Sequence, residues 1–220
     1  IINAPQKDFN KNDAQKVIDY LQKGGKAIIV GMHSETEMPN FASILDTYGV
    51  SLTTGPIADN DAQHYYNMGG PLYLLPNVNS SSYTGSLSGG YVYLPISLGI
   101  NYPQNSTTDD TVSTEESKTT YTSLLDTSDD AVAKNNPNSM QDYGYEDGDD
   151  KGPFSVGLAV EDKVDDDHTT QLVVFASPYV FSDDASQMTT NNASLFSDVI
   201  GNMTVSYTHL RAHETRRHLV

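Results

Sequence analysis

Hydrophobic positions in the first sixty residues follow two periods in turn. Ile1-Ile2 reads as the end of a first strand. Ala14, Val17, Ile18 and Leu21 then recur at helical spacing, which lays one apolar stripe along a helix. Asn10 suits its N-cap, Asp13 the capping-box position three residues on, and Phe9 the hydrophobic staple. Gly24-Gly25 end it. Lys26–Val30 (KAIIV) is a short apolar run of the kind found in strands covered on both faces. Pro39 fits the first turn of a second helix whose apolar face is Phe41, Ile44, Leu45 and Tyr48. Gly49–Leu52 and Pro56–Ala58 follow as short strands. This strand–helix–strand–helix order predicts an α/β fold: a mainly parallel sheet flanked by helices, in a flavodoxin-like three-layer arrangement.

Beyond residue 60 the pattern is less regular. Tyr73–Leu75, Tyr91–Pro95, Tyr121–Leu125 and Val156–Val160 are strand candidates separated by Ser, Gly, Asn and Asp. Gln171–Ala185 (QLVVFASPYVFSDDA) is the most informative stretch: a buried strand runs into a corner at Ser177-Pro178, and Ser182–Asp184 can open a helix. A last helix, Ala193–Met203, carries Leu195, Phe196, Val199 and Ile200 on one face. In a doubly wound sheet the loops leaving the carboxyl ends of the parallel strands gather on one edge. Here those loops are Asn3–Phe9, Gly31–Met38 and Ser177–Asp184. The ligand- or partner-binding candidates are therefore Asn3, His33, Glu35, Ser177, Ser182 and Asp183. For Ser182 and Asp183 the competing role is to cap the turn that follows.

Composition narrows the function classes. A net charge of −17 over 220 residues repels nucleic-acid phosphate and anionic membrane surfaces. The absence of cysteine removes disulfides, thiolate catalysis and Cys-based zinc sites together. No apolar run approaches the length of a membrane span. Two low-complexity acidic segments, Asn101–Lys118 and Asn135–Gly152, read as irregular, mobile loop insertions. All three arginines and three of the six histidines fall within the last twelve residues. That shift sets Val205–Val220 apart from a single domain spanning 1–204, and the stretch resembles a translated sequencing-adapter read-through. The chain starts with Ile rather than Met and reads as a piece of a longer protein.

Catalytic patterns fail one by one. Gly85–Gly89 (GSLSG) has Leu87 where a nucleophile elbow needs serine. Ser177 follows a strand but precedes Pro178, and no neighbouring histidine is marked as its base. His33, Glu35 and Glu37 alternate after a strand, and Asp59, Asp61 and His64 form a second cluster; each is a metal candidate whose simpler reading is a solvated loop. The acidic runs Asp142–Asp150 and Asp165–Asp167 lack EF-hand spacing and read as solvated loops. Without GxGxxG or a P-loop, no cofactor is expected. Tyr65, Tyr66 and Tyr73 can stack a sugar or peptide, or simply pack.

An ordered set of segments carries a family resemblance. The opening INAP..DF....A.KVIDYLQKGGKAIIV is followed by PNFASILDTYGV, HYY, LYLLP, GPFSVGLAV, Leu172–Asp184 and a helix from Asn192. Taken in that order, these resemble the GldG-like auxiliary family of ABC transporters, named for gliding motility. The resemblance implies an extracytoplasmic domain, similar in fold to class I glutamine amidotransferases, held to the membrane by segments outside this sequence. It also implies association with an ABC permease and ATPase. The cysteine nucleophile of the enzymatic relatives has no counterpart here, so the resemblance carries no activity across. The expectation is a non-catalytic component of a bacterial ABC-transport complex. The alternatives are a hydrolase or metal-dependent enzyme on the same sheet, or a surface carbohydrate- or peptide-binding module.

Overall fold

The computed structural model describes residues 1–87, 91–104, 118–135 and 142–214, with 205–214 described as helical backbone only. Its first elements are β1 (Ile2–Asn3), α1 (Lys11–Leu21), β2 (Lys26–Val30), α2 (Pro39–Asp46) and β3 (Ser51–Asp59). Short strands follow: β4 (Tyr73–Leu74), β5 (Asn77–Val78), β6 (Leu94–Pro95) and β7 (Leu98–Asn101). Then come β8 (Thr119–Asp126), β9 (Ala131–Ala133), β10 (Asp150–Lys151), β11 (Ser155–Lys163) and β12 (Thr169–Phe175). Two helices, α3 (Asp183–Met188) and α4 (Asn191–Glu214), end the described chain.

The Asn10 cap and the Pro39 position act as the sequence predicts. The Asn10 side chain accepts from the Asp13 amide at 2.9 Å and donates back to the Asp13 carboxylate, closing a reciprocal cap on α1. Phe9, expected as the staple of α1, stacks instead on Phe41 of α2, with ring centroids 6.3 Å apart. Pro39 sits in the first turn of α2, where its missing N–H is no loss.

The sheet itself overturns the expected fold class. Among the described residues one ten-stranded sheet runs β1-β2-β12-β11-β7-β3-β9-β10, with β8 paired to β11 and β5 to β8. Only β1–β2 and β2–β12 are parallel. Every other pairing in it is antiparallel, and the sheet curls into a half-barrel with few helices. It is not a mainly parallel sheet flanked by helices.

The turn at Asp165–Asp167 shows where the inference went astray. These acids close a hairpin between β11 and β12, paired from Gly157↔Phe175 to Lys163↔Thr169. The Asp165 carboxylate accepts the amides of Asp167 and His168 at 2.9 and 2.8 Å, which shapes the turn. Continuous apolar runs mark strands covered on both faces, and such cover does not require parallel pairing. Ile28, Val30, Val173 and Phe175 pack toward α4, whereas Ile29, Leu172, Val174, Leu158 and Val160 pack toward α1 and α2. The two predicted strands Gly49–Leu52 and Pro56–Ala58 are one irregular strand, β3. Within it Gly55 lies so close to β9 that an added Cβ would stand 1.7 Å from the Lys134 carbonyl oxygen.

In the described part of the second acidic segment Asp142, Asp147 and Asp150 are exposed, as a solvated loop requires, but Asp149 is buried. Lys134 is fully buried just beyond β9, and its ammonium donates to Asp149 Oδ2 at 2.6 Å and to the Gly144 carbonyl at 2.7 Å. Asp149 is buried beside it and also accepts the amides of Asn135 and Glu146 at 3.0 and 3.1 Å. Residues 105–117 of the first acidic segment and 136–141 of the second lie outside the described residues, as do 215–220 of the terminal segment. The backbone of α4 continues from the predicted helix through Glu214.

Candidate functional site

The three parallel strands set the geometry of one edge. In β1–β2 Asn3 stands opposite Val30, and in β2–β12 Val30 stands opposite Phe175. The Ala4 amide donates to Val30 O at 2.9 Å, and the Gly31 amide to Phe175 O at 2.8 Å. The loops after β1, β2 and β12 therefore leave side by side. Asp8, in the first of them, reaches across to α2. It accepts the Asn40 and Phe41 amides at 3.1 and 2.8 Å, the cap that Met38 does not supply. Burial works against the Asp8 charge, but these amides hold its carboxyl below the ordinary value.

The six predicted residues divide by role. Asn3, His33, Glu35 and Asp183 are exposed, and the His33 Nδ1 lies 3.0 Å from the Thr54 carbonyl. Ser182 caps α3, its hydroxyl accepting the Ala185 amide at 3.2 Å, and Asp183 lies in the first turn. Ser177 is fully buried. Its hydroxyl donates to Pro95 O at 2.6 Å and accepts the Tyr179 amide at 3.3 Å, so it ties β6 to the corner after β12. A buried hydroxyl occupied in this way is a strut and presents no nucleophile.

Next to Ser177 stands Asn192, also fully buried. Its amide accepts Tyr93 N at 2.9 Å, donates to Tyr93 O at 2.9 Å and donates to Val180 O at 2.7 Å. The side chain thus pairs with Tyr93 as the peptide of a neighbouring strand would, and fastens the 177–182 turn to the 91–96 segment. At Ile96 the backbone takes a φ of +52°, a region that β-branched residues avoid. The Leu72 carbonyl accepts its amide at 2.8 Å and the Ala176 carbonyl accepts that of Leu98 at 2.9 Å, which holds the strained residue in place.

A cleft of about 480 Å³ is lined among others by Gln63, His64, Asn77, Asn79, Ser80 and Tyr91. The His64 Nδ1 lies 3.0 Å from Asp61 Oδ2, and its Nε2 lies 3.2 Å from Asn77 Oδ1. The Gln63 amide bonded to Asp61 lowers that carboxyl below its ordinary value, against desolvation and with help from His64. Asp59 is buried and accepts from the Asp61 and Ser128 amides and the Ser128 hydroxyl. Among the described residues no three His, Asp or Glu side chains converge as a metal site requires, either here or at His33, Glu35 and Glu37. The Tyr83 phenol is pushed up by burial and by Glu161, to which it donates at 2.6 Å. Gln171 donates to both at 3.1 Å, so this buried network joins β11 and β12 to the 81–84 turn.

No protein-family model matches the chain, and no curated protein matches it. A solved structure described as the mmIFT52 N-terminal domain is similar in fold, with a TM-score of 0.57 at 14% sequence identity. The match covers 91% of this chain and 74% of that one.

Asp8, Asn192 and Ile96 escaped the sequence reading for different reasons. Asp8 serves a helix thirty residues away, and Asn192 reads as one more polar residue in a Thr-Thr-Asn-Asn run. Ile96 differs from its neighbours only in backbone angle. Ser88 and Gly89 of the GSLSG segment lie outside the described residues.

Proposed function

We propose that this chain is a non-catalytic, extracytoplasmic docking domain of a bacterial ABC-transport complex, whose β1–β2–β12 edge receives the permease. The observation that carries this reading is the character of the edge. Three loops from distant parts of the chain present exposed polar side chains there, while the one candidate nucleophile, Ser177, is buried as a strut. The ordered resemblance to the GldG-like family supplies the transport context, with permease and ATPase as partners. No described helix is long and apolar enough to cross a membrane. The test is co-purification of the full-length protein with its permease and ATPase from solubilised membranes, alongside transport in cells. Replacing His33, Glu35 and Asp183 together by alanine is expected to lower both. Wild-type transport and intact co-purification in that variant would overturn the reading.

The cleft favours a second reading, a carbohydrate- or peptide-binding module. In a chain of net charge −17 its lining among the described residues holds no carboxylate and no lysine or arginine; amides and hydroxyls of the kind that meet sugar hydroxyls predominate. Of the fourteen tyrosines Tyr91 lines it. Titration with neutral oligosaccharides, followed by chemical shifts at Asn77 and Ser80, separates this reading from the first.

A further inference from the structure

We propose that the apolar patch beside Ser177 binds a protein segment bearing an apolar anchor flanked by lysine or arginine. The inference rests on the docking reading above and names the chemistry of what docks. Six residues from three segments, 66–73, 93–96 and the turn at Tyr179, make the patch: Tyr66, Met68, Tyr73, Tyr93, Ile96 and Tyr179. Side-chain contacts join Tyr66, Met68, Tyr73 and Tyr93, and backbone hydrogen bonds tie the Ile96 and Tyr179 segments to the same corner. The Tyr66 hydroxyl donates to Met68 Sδ at 3.2 Å, and the Tyr93 ring meets Tyr66 edge-on and Tyr73 face-on, both at 6.2 Å. Ile96 is tied to Leu72, next to Tyr73, and the hydroxyl of Ser177 links Pro95 to the Tyr179 amide.

Three of the six stand out in solvent: Met68 at 88% relative exposure, Tyr179 at 42% and Ile96 at 36%. Exposed apolar side chains on segments tied to one corner mark an interaction site more often than isolated exposed residues do. The backbone is shaped around it. Gly69 lets the Tyr73 ring lie flat against the chain, because a Cβ there would stand 2.4 Å from the ring. The left-handed Ile96 holds an apolar side chain at the surface where glycine would be the unstrained choice.

Charge decides the occupant. The same turn that supplies Tyr179 leads into exposed Asp183 and Asp184, and the Tyr93 phenol is pushed up by burial, by Tyr73 and Tyr66, and by Asp184. An anchor entering the tyrosine and methionine surface thus meets carboxylates at the rim, in a body of strongly negative net charge. Methionine and tyrosine surfaces accept varied apolar anchors, while rim charge selects the sign of the flanks.

Fluorescence anisotropy at 150 mM salt tests this with the full chain and three labelled synthetic peptides. One has leucine and methionine anchors with lysine flanks, one the same anchors with glutamate flanks, and one lysine flanks with serine anchors. The first is expected to bind at least tenfold more tightly than the others. Met68→Ser and Ile96→Gly should each weaken it at least fivefold without lowering the melting temperature. Neutralising Asp165, Asp166 and Asp167 to asparagine, at the opposite end of β12, should leave binding unchanged. Equal binding of the serine-anchored peptide, or no loss in Met68→Ser, would reduce the effect to diffuse charge attraction and overturn the proposal. So would a dimer seen by sedimentation that Met68→Ser dissolves, since the occupant would then be a second copy. Co-purification of the permease without peptide binding sinks this inference alone. Peptide binding without any permease partner sinks the transport reading alone.

Discussion

Removing the charge of Asp149 tests whether the second acidic segment is part of the folded body. Lys134 and Asp149 are both fully removed from solvent, with Nζ and Oδ2 2.6 Å apart. Burial opposes both charges, yet the hydrogen bonds prevail: Lys134 is held above its ordinary value, and Asp149, helped by the Glu146 and Asn135 amides, below its own. In Asp149→Asn the ammonium keeps the Gly144 carbonyl at 2.7 Å and a partly exposed Glu146 at 3.3 Å, but loses its buried counter-charge. Breaking one side of a buried pair costs about 3–5 kcal/mol. For a chain of this size that is a fall in melting temperature of roughly 6–20 °C. Urea denaturation followed by circular dichroism measures it, and the double variant Lys134→Met/Asp149→Leu should cost less than the sum of the single changes. The pH dependence has a definite sign. A carboxyl depressed in the folded state stabilises above its unfolded value of about 3.9, and that contribution fades as pH falls through the lower folded value. The lysine, raised in the folded state, contributes fully below about 10.4 and fades as pH rises past it. The wild type should therefore lose stability below about pH 4 more steeply than Asp149→Asn. A cost under about 1 kcal/mol for Asp149→Asn would refute the buried pair, since that is the range of an exposed one.

Three further outcomes follow from the corner and the sheet. Ser177→Ala should cost about 1–2 kcal/mol by leaving Pro95 O and Tyr179 N without their partner, and a fluorophosphonate probe should not label the wild-type protein; labelling at Ser177 would restore the hydrolase reading. Asn192→Leu strands three backbone groups, and a loss of about 2–4 kcal/mol in chemical denaturation is expected; a neutral result would mean that water replaces the amide. Gly55→Ala drives a methyl into the β9 backbone and should cost about 3 kcal/mol, with amide exchange accelerated across β3 and β9 rather than in β2 and β12.

Much of the local structure was legible and the topology was not. The cap at Asn10, the proline of α2 and the apolar faces of both early helices follow from residues within one or two turns of each other. Strand direction depends on partners far apart in the chain, and a run such as Leu172–Val174 looks the same whether its neighbour is parallel or antiparallel. Here it has one of each, β2 and β11. The Asp165–Asp167 run was the available hairpin signal, and its charge disguised the turn. At the edge, the order of loops could be read because three strands are in fact parallel. The burial of Ser177 could not, because it depends on a carbonyl 82 positions earlier in the chain.

The place of β2 in the sheet also governs how the protein can assemble. Its two ladders reach back to β1 within about one helical excursion, and forward to β12, so that Ile29 pairs with both Ile2 and Val174. A ribosome delivers β1, α1, β2 and α2 long before β12 emerges. During that interval one side of β2 has no ladder partner, and its alternate side chains Ile28 and Val30 lack the α4 layer that covers them. Pairing across so long a separation is slow, and an open apolar edge is a target for wrong partners while it lasts. The early helices can gather on one face at once; completion of the molecule waits for its last strand.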